Sequence, residues 1–257
     1  MSYFNNNNGK SSNNNKHYKG ENTMDNRYFD TTLDINNPVP RCPVILLLDT
    51  SGSMAGDPIR ELNAGLKQFI FETANDEAGS MSVELEVITF DSRVNIAMPF
   101  TPICDVEKNP APLIANGMTC MGEALALAAK ELDSRRKLYQ ANGIPAYKPW
   151  VVLMTDGGPN DSGWEIAADK MRNLAERKEI TYIGVEIGKN ADHATMCQIM
   201  PTHKPMLARL DGLKFKAFFR WLSDSMSTVS NSALSDQDDL QLDDISAWGS
   251  WDELYKY

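Results

Sequence analysis

The sequence predicts an α/β fold: a doubly wound, mostly parallel central sheet with helices on both faces and one antiparallel edge strand. Two runs, Val44-Ile45-Leu46-Leu47-Leu48 and Trp150-Val151-Val152-Leu153-Met154, are apolar without polar alternation, the pattern of strands buried on both faces. Strand-like runs also alternate with stretches of helical period, which implies βαβ units. A length of 257 residues suits one large α/β domain with tails, or two small domains.

The elements follow in order. Residues 1–37 are rich in Asn, with Asn5 to Asn8 and Asn13 to Asn15 between Ser, Gly and Lys, so this head is expected to be disordered. Gly9-Lys10-Ser11 resembles the end of a phosphate-binding loop. Phe4 stands where that loop needs its first Gly, and no strand precedes it. The folded region is expected over residues 38–230. After the first strand, Asp57-Pro58 reads as a helix cap followed by Pro at the first helical position, and Leu62, Leu66, Phe69 and Ile70 form the buried stripe. Val83 to Phe90 reads as a strand and Val94 to Met98 as its hairpin partner, the antiparallel edge. A Pro-rich connection leads to Gly117-Met118-Thr119 and a helix over 120–140, with Met121, Leu125, Ala128 and Leu132 on one face. The strand at 150–154 ends in Thr155-Asp156-Gly157-Gly158. A helix over 162–178, a strand over 180–187 and a final helix carrying Phe215, Phe218, Phe219, Leu222, Met226 and Val229 complete the series. Residues 231–257, acidic with Trp248, Trp251, Tyr255 and Tyr257, read as a flexible tail with some docking potential.

A formal charge of -10 argues against a phosphate backbone as partner, because nucleic-acid binders carry a basic footprint. Arg135-Arg136-Lys137 is the nearest approach to one and reads as a solvated helix face. Four cysteines show no CxxC spacing and are expected to be buried or idle thiols in a reducing compartment. His193 and Cys197 stand four apart and can share a helix face, but no second pair is at hand to complete a zinc site. With no apolar leader and no run of 18 apolar residues, the expectation is a soluble, cytoplasmic protein.

The chemistry is expected where the two apolar strands end. Asp49-Thr50-Ser51-Gly52-Ser53 follows the first, Asp156 follows the second, and Thr119 opens a helix between them. In open α/β sheets ligands sit at the carboxyl ends of strands, near the point where strand order reverses. Asp49, Ser51, Ser53, Thr119 and Asp156 form an all-oxygen donor set of two carboxylates and three hydroxyls. Such a set suits a hard divalent ion, Mg²⁺ or Mn²⁺. Two carboxylates balance its charge, which leaves it electrophilic enough to accept one more carboxylate from outside. Ser and Asp after a strand also commonly just cap the next helix. Met54, Met118 and Met121 lie on the same loops and read either as an adaptable apolar rim for a partner or as core beneath the loops.

These motifs resemble the von Willebrand factor A (VWA) domain with its metal-ion-dependent adhesion site. The matching elements are Asp49 to Ser53, the threonine loop Gly117-Met118-Thr119-Cys120-Met121-Gly122, and Thr155-Asp156-Gly157-Gly158-Pro159, over residues 41–230. Within that family, Leu48 to Met54, Val87 to Asp91, Leu153 to Gly157 and Phe218 to Ser223 are most similar to bacterial tellurium-resistance-associated (TerY-like) proteins. The chain departs from many relatives at Met118, where they place Gly. The resemblance implies a Rossmann-like fold and direct metal ligation by Ser51 and Ser53. It further implies that Thr119 joins in some states, that Asp49 and Asp156 often act through water, and that a partner's acidic side chain takes the sixth position. It also implies a stress-response or phage-defence setting with kinase or phosphatase partners. No enzyme activity is expected, because neither Ser51 nor Ser53 sits in a G-x-S-x-G elbow and no His lies in the motif loops. Two other functions compete. A Mg²⁺-dependent phosphatase-like hydrolase needs a second acid two residues after Asp49, where Ser51 stands. A structural subunit would carry the same site without using it.

Overall fold

Every residue of strand β1, Cys42–Asp49, is buried, because its side chains alternate between two separate apolar layers. The computed structural model describes residues 33, 37–188, 191–203, 206–237 and 242–251. Within them β1 pairs in parallel with β2 (Val83–Phe90) on one side and β4 (Trp150–Thr155) on the other. The sheet continues in parallel through β5 (Thr181–Ile187) and β6 (Met206–Leu210). β3 (Val94–Pro102) pairs antiparallel with β2 and is the expected edge, though it runs beyond Met98. At the opposite edge β7 (Gly249–Trp251) pairs antiparallel with β6, giving the order β3-β2-β1-β4-β5-β6-β7. The chain therefore steps outward from β1 to β3 and crosses back to β4. That reversal makes the carboxyl ends of β1 and β4 the natural crevice.

Leu46, Leu48, Val152 and Met154 face one layer with α1 (Asp57–Asn75) and α6 (Phe215–Ser230). Ile45, Leu47, Val151 and Leu153 face the other, with α3 (Met121–Asn142), α4 (Trp164–Glu176) and the short α5 (His193–Ile199). A further short helix, α2 (Glu77–Ser82), follows α1. The expected stripe of α1 is buried as its spacing requires, with Phe219 of α6 packed over Gly65. Asp57 is not the cap: Gly56, at φ 90°, takes that position and Asp57 opens the helix.

Three expectations need correction. The domain does not end at residue 230. Ile245 and Trp248 are buried, and Trp248 meets Phe218 edge-on at 4.9 Å and Trp221 at 5.4 Å. The Trp221 indole N–H donates to the Asp243 carbonyl at 2.9 Å. Aromatic area of this size outweighs the acidity of the surrounding stretch, so residues 242–251 belong to the sheet and core rather than to a flexible tail. Second, Arg135 is not solvated: its guanidinium pairs with Glu84 of β2 and lies 5.0 Å from the Phe100 ring centroid. Arg41 and Tyr139 complete that buried cluster. Third, α5 and β6 carry no element in the sequence reading. The readings for the Asn-rich head, apart from residues 33 and 37, and for Tyr255 and Tyr257 lie outside the described residues. No described helix is long and apolar enough to cross a membrane.

Candidate metal centre

β1 delivers Asp49 to the crevice with its side chain fully buried. Its two oxygens have separate tasks: Oδ1 accepts the Ser51 backbone N–H at 2.8 Å, and Oδ2 accepts the Thr155 hydroxyl at 2.6 Å. The first bond folds Asp49-Thr50-Ser51 back on itself. The second ties the ends of β1 and β4 together. Burial pushes the Asp49 carboxyl above the usual carboxylate range, while the bonds from Thr155 and Ser51 pull the other way.

The donors then converge. Ser51 Oγ and Ser53 Oγ lie 3.0 Å apart, and Ser53 Oγ donates to Asp156 Oδ1 at 2.8 Å. Neighbouring ligands of an octahedral ion with bonds of 2.0–2.1 Å stand about 3 Å apart, so these three oxygens already have the spacing of adjacent coordination positions. Asp49 lies deeper, with both oxygens engaged by the protein, which fits a role through water or as an anchor.

Thr119 reaches the crevice by another route. The Gly52 N–H donates to the Gly117 carbonyl at 3.0 Å and the Asn116 N–H to the Thr50 carbonyl at 2.8 Å, which lays the threonine loop along the serine loop. Gly117 has φ +78°, and a side chain there would collide with Ser92. Thr119 itself is buried, and its carbonyl accepts the Asn160 N–H at 2.9 Å from the loop after β4. All five sequence-derived donors thus belong to three loops hydrogen-bonded to one another. Among the described residues no group of three His, Cys, Asp or Glu is arranged for a metal ion.

The three loop methionines divide by exposure. Met118 is 57% exposed on the threonine loop, whereas Met54 and Met121 are fully buried in opposite apolar layers. The 3₁₀ turn Gly52–Met54 and the first turn of α3 rotate those two side chains inward.

Sequence reasoning left several supporting residues without a role. Thr155 sits inside a recognised motif, yet its bond to Asp49 spans 106 positions. Ser92 Oγ accepts the Met118 N–H at 3.0 Å, and the Asp91 carbonyl accepts that of Cys120 at 2.8 Å. Asp161 caps α3 from the loop after β4, accepting the N–H groups of Gly122 at 3.1 Å and Glu123 at 2.8 Å. Gly122 permits this approach: a Cβ there would lie 2.5 Å from Trp164 Cα. The available signals were an Asp-Ser pair directly after a strand and an acid two residues beyond the Gly-Gly-Pro turn.

The family model for the von Willebrand factor type A domain matches residues 44–211. Solved structures share the fold at low identity. A von Willebrand factor type A protein from Catenulispora acidiphila is 16% identical with a TM-score of 0.56, over 74% of this chain and 43% of that one. Proximal thread matrix protein 1 from the mussel byssus, with a zinc-occupied MIDAS motif, is 21% identical at a TM-score of 0.50, over 72% of this chain and 48% of its own. Manganese-loaded TRAP protein from Plasmodium vivax is 22% identical at a TM-score of 0.50, over 69% and 71%. The chain thus spans less than half of the first two. No curated protein matches it.

Proposed function

Because the chain belongs to the von Willebrand factor type A domain family, we propose that it is a divalent-metal-dependent protein-interaction module that captures an acidic side chain of a partner. The observation that carries this reading is the succession Ser51 Oγ, Ser53 Oγ and Asp156 Oδ1, each within 3.0 Å of the next at the strand-order reversal. Ser51 and Ser53 are the direct ligands. Thr119 stands on the adjoining loop, and Asp49 and Asp156 supply charge, directly or through water. Mg²⁺ or Mn²⁺ suits this oxygen set. The bound ion supplies one electrophilic position for a partner carboxylate, and Met118 offers an exposed apolar contact beside it.

The TerY-like resemblance supports a cytoplasmic, bacterial stress-response or phage-defence setting, with a kinase or phosphatase of the same gene cluster as partner. We read the protein as a binder and not an enzyme, since Ser51 stands where phosphoaspartate chemistry needs its second acid.

Titration of the full chain with Mn²⁺ is expected to show one site that Ser51→Ala with Ser53→Ala abolishes. Proteins captured from the host in Mg²⁺ are expected to be lost in EDTA and with that double variant. Identical capture in all three conditions would overturn the adhesion reading, and Mg²⁺-dependent aryl phosphate turnover abolished by Asp49→Ala would overturn the non-enzymatic one.

A further inference from the structure

A second polar cluster lies beyond the metal centre, where β5 and β6 meet α5. Glu186 of β5 is buried, and each of its oxygens has a separate partner. Oε1 lies 2.6 Å from His193 Nδ1, while Oε2 accepts from Arg209 Nε at 3.1 Å and Nη2 at 2.9 Å. The other ring nitrogen of His193, Nε2, lies 3.4 Å from Cys197 Sγ. A cavity of about 350 Å³ opens beside the cluster, lined by Glu186, His193, Leu207, Arg209, Ser250 and Trp251.

The chemistry follows from the order of these contacts. Arg209 balances the carboxylate at Oε2, so Oε1 is left to accept the proton on Nδ1. That bond assigns the tautomer with a lone pair on Nε2, directed at the thiol. A thiol, a base and an acid that orients the base, each within hydrogen-bonding reach of the next, is the arrangement that activates a nucleophile. The helical i, i+4 step brings Cys197 to His193, and the pairing of β5 with β6 brings Arg209 to Glu186. His193 and Cys197, paired by spacing in the sequence and unused by the metal centre, acquire a function here.

We propose that Cys197 is a reactive thiol, activated by His193 and held in register by Glu186 and Arg209, that is oxidised by small hydroperoxides. Cys197 is half-buried against the apolar layer of α3, α4 and α5, which restricts it to small reagents. The Sγ–H proton passes to His193 Nε2, and the thiolate pair attacks one peroxide oxygen. The O–O bond breaks, and the departing hydroxide or alkoxide takes the proton from the imidazolium and leaves as water or alcohol. The sulfur is oxidised to a sulfenic acid and the peroxide is reduced.

The protein carries its own controls. Cys104 is exposed, with its thiol pushed up by partial burial and by Asp105, and reports the rate of an accessible thiol that is not activated. Cys42 is fully buried, with its thiol pushed up to about 12 by that burial and by Glu84, and reports intact folding. The full chain is treated with hydrogen peroxide near pH 7, trapped with dimedone and mapped by mass spectrometry. Cys197 is expected to react about tenfold faster than Cys104, or more, despite lower exposure. His193→Gln and Glu186→Gln are each expected to bring Cys197 down to the Cys104 rate or below, with Cys42 still protected. Faster reaction at Cys104 in the native chain overturns the proposal, whatever the variants do. So does a His193→Gln protein that protects Cys42 and keeps the native Cys197 rate.

Discussion

Glu86 lies buried on β2, where its Oε2 accepts the Phe100 N–H at 3.3 Å. Burial, and then the negative charge of Glu131, push its carboxyl up to about 8. The native state therefore holds this proton more tightly than the unfolded chain. The resulting stability is full below the ordinary carboxylate range and is lost as pH rises through about 8. Glu86→Gln cannot lose a proton. In urea unfolding at a series of pH values, the variant is expected to gain on the native protein between pH 5 and 8, by up to about 1.4 kcal/mol per pH unit. Parallel stability curves would exclude the buried proton. The candidate metal centre was only partly legible in the sequence. Asp49, Ser51, Ser53 and Asp156 follow apolar strands and were legible from local pattern. Thr155 was not given its role, because its meaning depends on the register of β1 against β4. The inward turn of Met54 and Met121 likewise depends on loop geometry that residue type does not encode.

Helix α3 begins at the junction of two site loops, and its cap is borrowed from across the crevice. Asp161 accepts the Gly122 and Glu123 N–H groups, so the loop after β4 holds the first turn of the helix that follows Thr119. Asp161→Ala is expected to cost about 1 kcal/mol, seen as a melting-temperature drop of about 2–4 °C for a domain of this size. Asp161→Asn, which keeps an acceptor, is expected to recover most of it. An unchanged Ala variant would mean that water satisfies these N–H groups as well. The long elements were legible because each carries a sustained apolar period. α5 and β6 were not: α5 has seven residues, and β6 has Arg209 within its five. That arginine suits a strand because Glu186 stands beside it on β5, a pairing that no local window reveals.

The whole molecule closes late in its sequence. Ile245, Trp248 and β7 cover Phe218 and Trp221 of α6 and pair with β6, so a chain shortened to residues 1–237 opens an aromatic face and a strand edge together. Trp248→Ala alone is expected to cost about 3–5 kcal/mol. The shortened chain is expected to melt earlier, bind a hydrophobic dye and scatter light on standing. A shortened chain that melts with the full one would show that this segment contributes no stability. Composition hid this because the segment is acidic, and aromatic burial is decided by what stands opposite. β7 has a further consequence for copies of the chain meeting in solution. Among the described residues this edge strand has three, a short template for another, whereas β6 laid bare offers its open backbone groups to any passing strand. Gly249 to Trp251 thus act as a guard against sheet-to-sheet growth, keeping one copy of the chain from recruiting the next.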